Sequence, residues 1–269
     1  MQDTLTLEII NPTSLGGSLA LAIFFGILVC LALGRWLGTR AIAKHGSVAG
    51  GANVGSLETA VFALLGLMIA FTFSGALERF DKRRAQVVDE ANAIGTAWLR
   101  LDLLPPSAQP RVRDTFKAYV DSRIATYRKL PDLEASRAEF QHSRELQGEL
   151  WAQVVAAARQ RDAHPYTELT VIPAMNEMIN FTTLRIAATQ IHPPLIIYVM
   201  LIVLALAAAL LAGYQQSSER DYDWLHKIGF ALTVAITVYV VLDIEYPRLG
   251  FVRIDSIDKV LIDVRAGMK

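Results

Sequence analysis

Residues 59–77 read TAVFALLGLMIAFTFSGAL and contain no charged side chain. The chain then continues, with no proline to interrupt it, as ERFDKRRAQVVDEANAIGTAWLR through Arg100. As a helix, the apolar part would span about 28 Å, close to the thickness of a bilayer's hydrocarbon core. The stretch therefore predicts one long helix that crosses a membrane and runs on into water, with Ser56 as its N-cap and Pro105-Pro106 beyond its end.

The composition indicates an integral membrane protein. Hydrophobic residues make up 53% of the 269-residue chain and are concentrated in blocks, and the formal net charge is zero. A nucleic-acid-binding protein usually carries a basic excess, so we expect no nucleic acid partner and take the lipid bilayer as the surroundings. Cys30 is the single cysteine, which excludes an intrachain disulfide.

Four apolar segments have the length of membrane spans. They cover residues 15–34, 57–78, 194–214 and 226–242. They divide the chain into a hairpin of two spans at 1–78, a middle region at 79–193, a second hairpin at 194–243 and a tail at 244–269.

The middle region is predicted to be helical. Its apolar residues recur every three or four positions, as in Val87, Ala91, Ile94 and Trp98, and alternation with a period of two is essentially absent. Further helices are expected at 133–161 and from Pro173 to Gln190. The predicted fold class is therefore all-α, with four transmembrane helices and a helical region inserted between spans 2 and 3. The aromatic stripes of these helices favour packing cores over a cofactor site.

The basic residues predict the orientation in the membrane. Four spans place both termini and the middle region on one face, where a basic cluster directly follows the second span. The opposite loops also carry basic residues, such as Arg35 and Arg40, so the excess is moderate. By the positive-inside rule we expect a multi-pass protein of the cell inner membrane with the middle region and both termini in the cytoplasm.

No catalytic constellation is visible in the sequence. It has no glycine-rich phosphate loop, no histidine pair at metal-ligand spacing and no CxxC motif, so we predict no enzyme, no cofactor and no metal site. The interiors of the four spans are also essentially free of ionisable residues, which proton-driven pumps need at membrane depth. A passive channel remains possible, because apolar constrictions and backbone dipoles can control conduction.

Two stripes of the second span compete as the lining of a pore, and helical periodicity permits both. The first is Phe62, Gly66, Ile69, Phe73 and Ala76; the second is Ala63, Leu67, Phe71, Ser74 and Glu78. We predict the second, because it ends in groups that prefer water, whereas Gly66 on the first suits close helix packing. Leu67 and Phe71 would then form an apolar constriction.

Charged residues at the membrane edge suggest two further sites. Arg79, Lys82, Arg83 and Arg84 could be a solvated anchor at the lipid headgroups or a positive vestibule that concentrates anions. Asp243, where the fourth span ends, could form an interfacial ion pair with Arg185. Both sites are hypotheses at this stage.

Several motifs resemble the bacterial and plant bestrophin-like membrane proteins, a family of unknown function. They are GLMIAFTFS at 66–74, RFDKRR at 79–84, EANAIGTAWLR at 90–100 and DLLP at 102–105, together with Asn176–Arg185, His192-Pro193-Pro194 and residues 243–250. The likeness covers nearly the whole chain.

The resemblance implies a remote similarity to true bestrophins, which are pentameric anion channels with four spans and cytoplasmic termini. Their second span lines the pore and carries an apolar neck. It implies a homo-oligomer, a pentamer by analogy, that passes small anions. The acidic calcium-binding cluster of the animal channels has no counterpart here, so calcium gating is not implied. The alternative is a non-conducting scaffold or sensor that binds a partner through its cytoplasmic helices.

Overall fold

A computed structural model describes residues 12–45, 51–218, 224–246, 251–252 and 257–269. The described residues form α-helices with short 3-10 turns and no β-strand. The helices are α1 (Pro12–His45), α2 (Gly51–Arg100), α3 (Gln109–Arg128), α4 (Leu133–Ala158), α5 (Thr167–Gln190), α6 (Leu195–Gln215), α7 (Trp224–Glu245) and α8 (Lys259–Ala266). The predicted all-α class is confirmed.

Four helical stretches are long and apolar enough to cross a membrane. They are Gly16–Lys44, Gly55–Leu103, Thr167–Gln215 and Trp224–Glu245. Each overlaps one of the four predicted spans, and the region between the second and third predicted spans is helical, as expected from the sequence. Of the predicted tail at 244–269, residues 247–250 and 253–256 lie outside the described residues.

Two predicted helix starts are wrong. The helix α2 begins at Gly51, so Ser56 lies inside it and is not its N-cap. The helix α5 begins at Thr167, six residues before Pro173, which is exposed within the helix. Proline has no backbone N–H, so it cannot donate the helical hydrogen bond to the carbonyl oxygen four residues earlier. Here that residue is the exposed Leu169, where water can replace the missing donor.

The chain forms two compact units, which are described separately. The first comprises Met1–Glu78 and His192–Tyr246. The second comprises Arg79–Ile191 and Pro247–Lys269, so that the end of the tail belongs to the same unit as the middle region.

The core of the first unit depends on close backbone contact between α1 and α6. A Cβ atom added to Gly213 would lie 2.1 Å from the carbonyl oxygen of Leu31, and one added to Gly34 would lie 2.0 Å from the carbonyl oxygen of Leu210. Small residues let helices approach in this way in lipid, where no hydrophobic driving force holds them together.

The core of the second unit combines residues from five helices. Its fully or almost fully buried members include Ile94 and Leu101 of α2, Phe116 and Tyr119 of α3, Leu150 and Val154 of α4, Met175 and Met178 of α5, and Leu261 of α8. The predicted apolar face of α2 in this region, from Val87 to Trp98, is buried.

Replacing Gly213 by Ala should destabilise the first unit, because the new methyl group overlaps the backbone of α1. Overpacking of this kind lowers the free energy of unfolding by about 1–3 kcal/mol. The higher helix propensity of Ala raises it by about 1 kcal/mol at most, so the net effect is destabilising. Gly17→Ala is the matched control, since nothing lies within 4 Å of a Cβ at Gly17. Thermal unfolding in detergent should show a lower midpoint for Gly213→Ala alone; equal midpoints would contradict the close approach.

Candidate functional site

One face of α2 is exposed along the apolar span of the first unit. Phe71 is 65% exposed, and Ala63, Leu67, Ser74 and Glu78 are also exposed. These are the residues predicted to line a pore. Among the residues that the structure describes, none covers this face, which is therefore available to lipid, water or another subunit.

The packing face of α2 lies elsewhere on the helix. Leu65, Thr72 and Ala76 are buried, and the hydroxyl of Thr72 donates to the Met68 carbonyl oxygen of its own helix at 2.8 Å. Polar groups in membrane helices often satisfy their hydrogen bonds in this manner, so Thr72 is structural.

The residues of the competing stripe differ in how far they are buried: some pack against other helices, and others are exposed. Phe62 packs edge-to-face on Phe230 of α7, with ring centroids 5.5 Å apart, whereas Phe73 remains 39% exposed. The expectation that Gly66 serves close packing is not met within the chain, because a Cβ there would have nothing within 4 Å.

The basic cluster at the start of the second unit is not uniform. Arg83 is buried, and its guanidinium donates to the carbonyl oxygens of Ala188 and Ile191 at 3.1 and 3.2 Å. These carbonyls lie at the end of α5, where a helix presents unpaired acceptors and a partial negative charge. Arg83 therefore caps the end of α5, and its predicted place in a vestibule stays a prediction.

The other three basic residues of the cluster are more accessible. Lys82 is exposed, and Arg79 is half-buried. Arg84 is exposed and forms a long ion pair with Asp81 at 3.5 Å. A pair between exposed side chains contributes little to stability, and the Arg84 guanidinium stays accessible to solvent.

The second unit contains a buried ionic network centred on Glu90 of α2. One oxygen of its carboxylate accepts hydrogen bonds from Nε and Nη2 of Arg123 at 2.9 and 2.7 Å, and the other accepts one from Nη1 of Arg185. Glu90 and Arg123 are fully buried, and Arg185 is almost fully buried. The network joins α2, α3 and α5 through a single carboxylate.

Aromatic and hydroxyl groups complete this network. Tyr127 accepts from Arg123 at 2.8 Å, and its ring lies 3.7 Å from the Arg185 guanidinium. Burial by itself lowers the pKa of Arg123, but Tyr127 and Glu90 outweigh that effect, and the pKa is raised. Burial also raises the pKa of the Tyr119 hydroxyl to about 12, so this group stays protonated beside Thr182, 2.9 Å away.

The predicted ion pair between Arg185 and Asp243 would join the two units, which are described separately, and it stays a prediction. Arg185 pairs with Glu90 and, through Nη2, with Asp258 at 2.8 Å. The fully buried Glu90 needs cationic partners more than the end of a span does, because an unpaired buried charge is very unfavourable.

Glu90 was not among the predicted site residues, although the sequence contains a signal for it. Glu90 lies among Val87, Ala91 and Ile94 on the apolar face of its helix. Arg123 follows Tyr119 and Val120 on the apolar face of α3 in the same way. A charged residue on an apolar face is seldom buried without a partner of opposite charge, so these two residues of opposite charge on two helices indicate one cluster.

Replacing Glu90 by Gln should strongly destabilise the second unit, because two buried arginines lose their shared negative charge. Breaking a buried ion pair from one side costs about 3–5 kcal/mol. The neighbouring Asp89→Asn removes the same charge from an exposed position and should leave stability almost unchanged. Denaturant unfolding of both variants measures the difference, and equal midpoints would show that the network adds no stability.

Comparison with known proteins supports the family assignment. A family model described as the Bestrophin-like domain matches residues 23–257, and no curated protein matches the chain. The crystal structure of a point mutant of a bacterial bestrophin homologue from Klebsiella pneumoniae has a similar fold. It aligns with a TM-score of 0.61 and 13% sequence identity over 91% of this chain and 98% of that chain. The chain therefore belongs to the bestrophin-like family, as a channel-like membrane protein.

Proposed function

We propose that the protein is a homo-oligomeric channel that conducts small anions passively along α2. The observation that carries the proposal is the division of α2 into a packing face with Leu65 and Ala76 and an exposed face with Leu67 and Phe71. A helix that lines a pore needs both faces, one to hold it in its subunit and one to meet the permeating ion.

The exposed face has the chemistry of a hydrophobic gate. Leu67 and Phe71 are apolar, and a ring of such side chains restricts ions by excluding water. Ser74 and Glu78 follow in the direction of the chain and favour hydration beyond the constriction. The span has no ionisable residue that could couple transport to protons, which supports passive conduction.

A channel of this kind requires several subunits. One α2 offers a single exposed face and cannot enclose a path, whereas copies arranged around an axis can. The family assignment supports a ring, and by resemblance to bestrophins we propose a pentamer. Lys82 and Arg84 of each copy would raise the local anion concentration, with Arg79 as a third candidate for this vestibule.

The orientation proposed is that of an inner membrane protein with the middle region and both termini in the cytoplasm. The basic residues from Arg79 to Arg84, directly after the second span, support it.

A second candidate function is a scaffold that binds a protein partner, and one surface favours it. Leu99 is 69% exposed and Leu169 is 73% exposed, although both belong to the second unit, outside the predicted spans. The ends of α2 and α5 meet here, since Thr167 donates to the Leu103 carbonyl oxygen at 2.8 Å. Exposed apolar patches on water-soluble regions commonly mark protein contacts.

Replacing Phe71 by Ala should widen the constriction and raise anion flux into liposomes containing the purified protein. Phe25→Ala is the matched control, because Phe25 of α1 is 60% exposed and loses the same side chain away from the proposed path. Phe73→Ala should loosen packing without raising flux.

The outcomes separate the alternatives. If Phe73→Ala raises flux while Phe71→Ala only destabilises, the pore lies on the other stripe. If Phe25→Ala raises anion flux as much as Phe71→Ala does, the increase in flux is not specific to α2. The channel proposal is contradicted if the protein is a monomer in nanodiscs, or if neither wild type nor any variant conducts. The scaffold would then be the remaining candidate function.

A cysteine at Ser107 tests the orientation. Ser107 is exposed in the turn before α3, and a Cys30→Ser background removes the native thiol. We expect a membrane-impermeant maleimide to label Ser107→Cys in inverted inner-membrane vesicles but not in intact spheroplasts. The reverse labelling pattern would place the middle region in the periplasm.

A further inference from the structure

The end of the chain is built into the second unit as a docked arm, which we define as residues 257–269. The arm buries Leu261 and Met268 in the core of that unit. Its helix α8 also lies against α2, because a Cβ added to Gly95 would be 3.9 Å from Cγ1 of Val264. The arm is therefore a packing partner of the helix proposed to line the pore.

Two ion pairs hold the arm at its two ends. Asp258, just before α8, accepts a hydrogen bond from Nη2 of Arg185 at 2.8 Å. Arg265, near the end of α8, donates from Nε and Nη2 to the two carboxylate oxygens of Asp121 on α3, at 2.8 and 2.7 Å. The second contact has the bidentate geometry that fixes direction as well as distance.

The first pair completes the charge balance of the buried network. Arg123 and Arg185 supply two positive charges, and Glu90 and Asp258 supply two negative charges. When the arm undocks, the Asp258 carboxylate moves away from Arg185. Of the carboxylates in the network, only Glu90 then balances the charges of the two buried guanidinium groups. An excess charge in such a site is unfavourable unless water enters or the helices move apart.

We propose that the arm controls the conformational state of α2. Docked, it supplies the second carboxylate and holds α2 against α3 and α5. Undocked, it leaves an uncompensated charge that loosens the Glu90 contacts, and the change reaches the span because α2 is one helix from Gly51 to Arg100. The consequence for conduction rests on the proposed function, as regulation of that channel.

Hydrogen exchange of the full-length protein in nanodiscs tests the coupling. Asp258→Asn keeps the shape of the side chain and removes its charge, and Asp263→Asn makes the same change on the exposed side of α8. We expect at least about tenfold faster exchange in Asp258→Asn, both in the arm and in residues 85–100 of α2. Asp263→Asn should exchange like wild type.

A second set of variants releases the arm without touching the buried network. Arg265→Asp should repel Asp121 and speed exchange in the same two segments. The charge swap Asp121→Arg with Arg265→Asp should restore wild-type exchange. The proposal is overturned if the arm exchanges faster while residues 85–100 do not, if Asp263→Asn matches Asp258→Asn, or if the swap fails to restore protection.

Flux in liposomes then tests the functional consequence. Asp258→Asn should conduct several-fold more than Asp263→Asn, because α2 is less restrained. Faster exchange in α2 with unchanged flux would overturn the regulatory role. If wild type and Phe71→Ala both fail to conduct, the proposed channel fails, while the exchange experiment still decides whether the arm is coupled to α2.

Discussion

The arrangement of the second unit depends on the carboxylate of Glu90. It is fully buried, and it is shared by Arg123 from α3 and Arg185 from α5. A buried charge tolerates little displacement of its partners, because lost contacts are not replaced by water. We therefore expect the network to favour one arrangement of the three helices over the several similar ones that apolar packing alone would allow.

The same constraint explains why the end of the chain belongs to this unit. Among the described residues, the two buried arginines exceed Glu90 by one positive charge, and Asp258 supplies a second carboxylate. Leu261 then fills the adjoining core. The arm thus contributes chemistry as well as packing, which gives a short C-terminal segment influence over a helix distant in sequence.

The first unit is organised by a different principle. Its helices meet through glycine, with the backbones of α1 and α6 in contact near Gly34 and Gly213. Large apolar side chains such as Phe25 and Phe71 can then point outward, because lipid or another subunit can cover them without penalty. The helix α2 passes from this environment into the charged core of the second unit.

The sequence by itself determined the all-α class, the four spans and the family. These depend on local signals, such as the hydrophobicity of about twenty consecutive residues. Helical periodicity could not decide which residues of α2 pack against other helices, because both candidate stripes have the helical period. The stripes differ only in which neighbouring groups contact them. Only the tertiary structure assigned Arg83 to the end of α5 and Arg185 to Glu90 and Asp258. The partner of a buried charge depends on which helices pack together. Glu90 and Arg185 are 95 residues apart in the chain, so no local sequence pattern indicates that they are in contact.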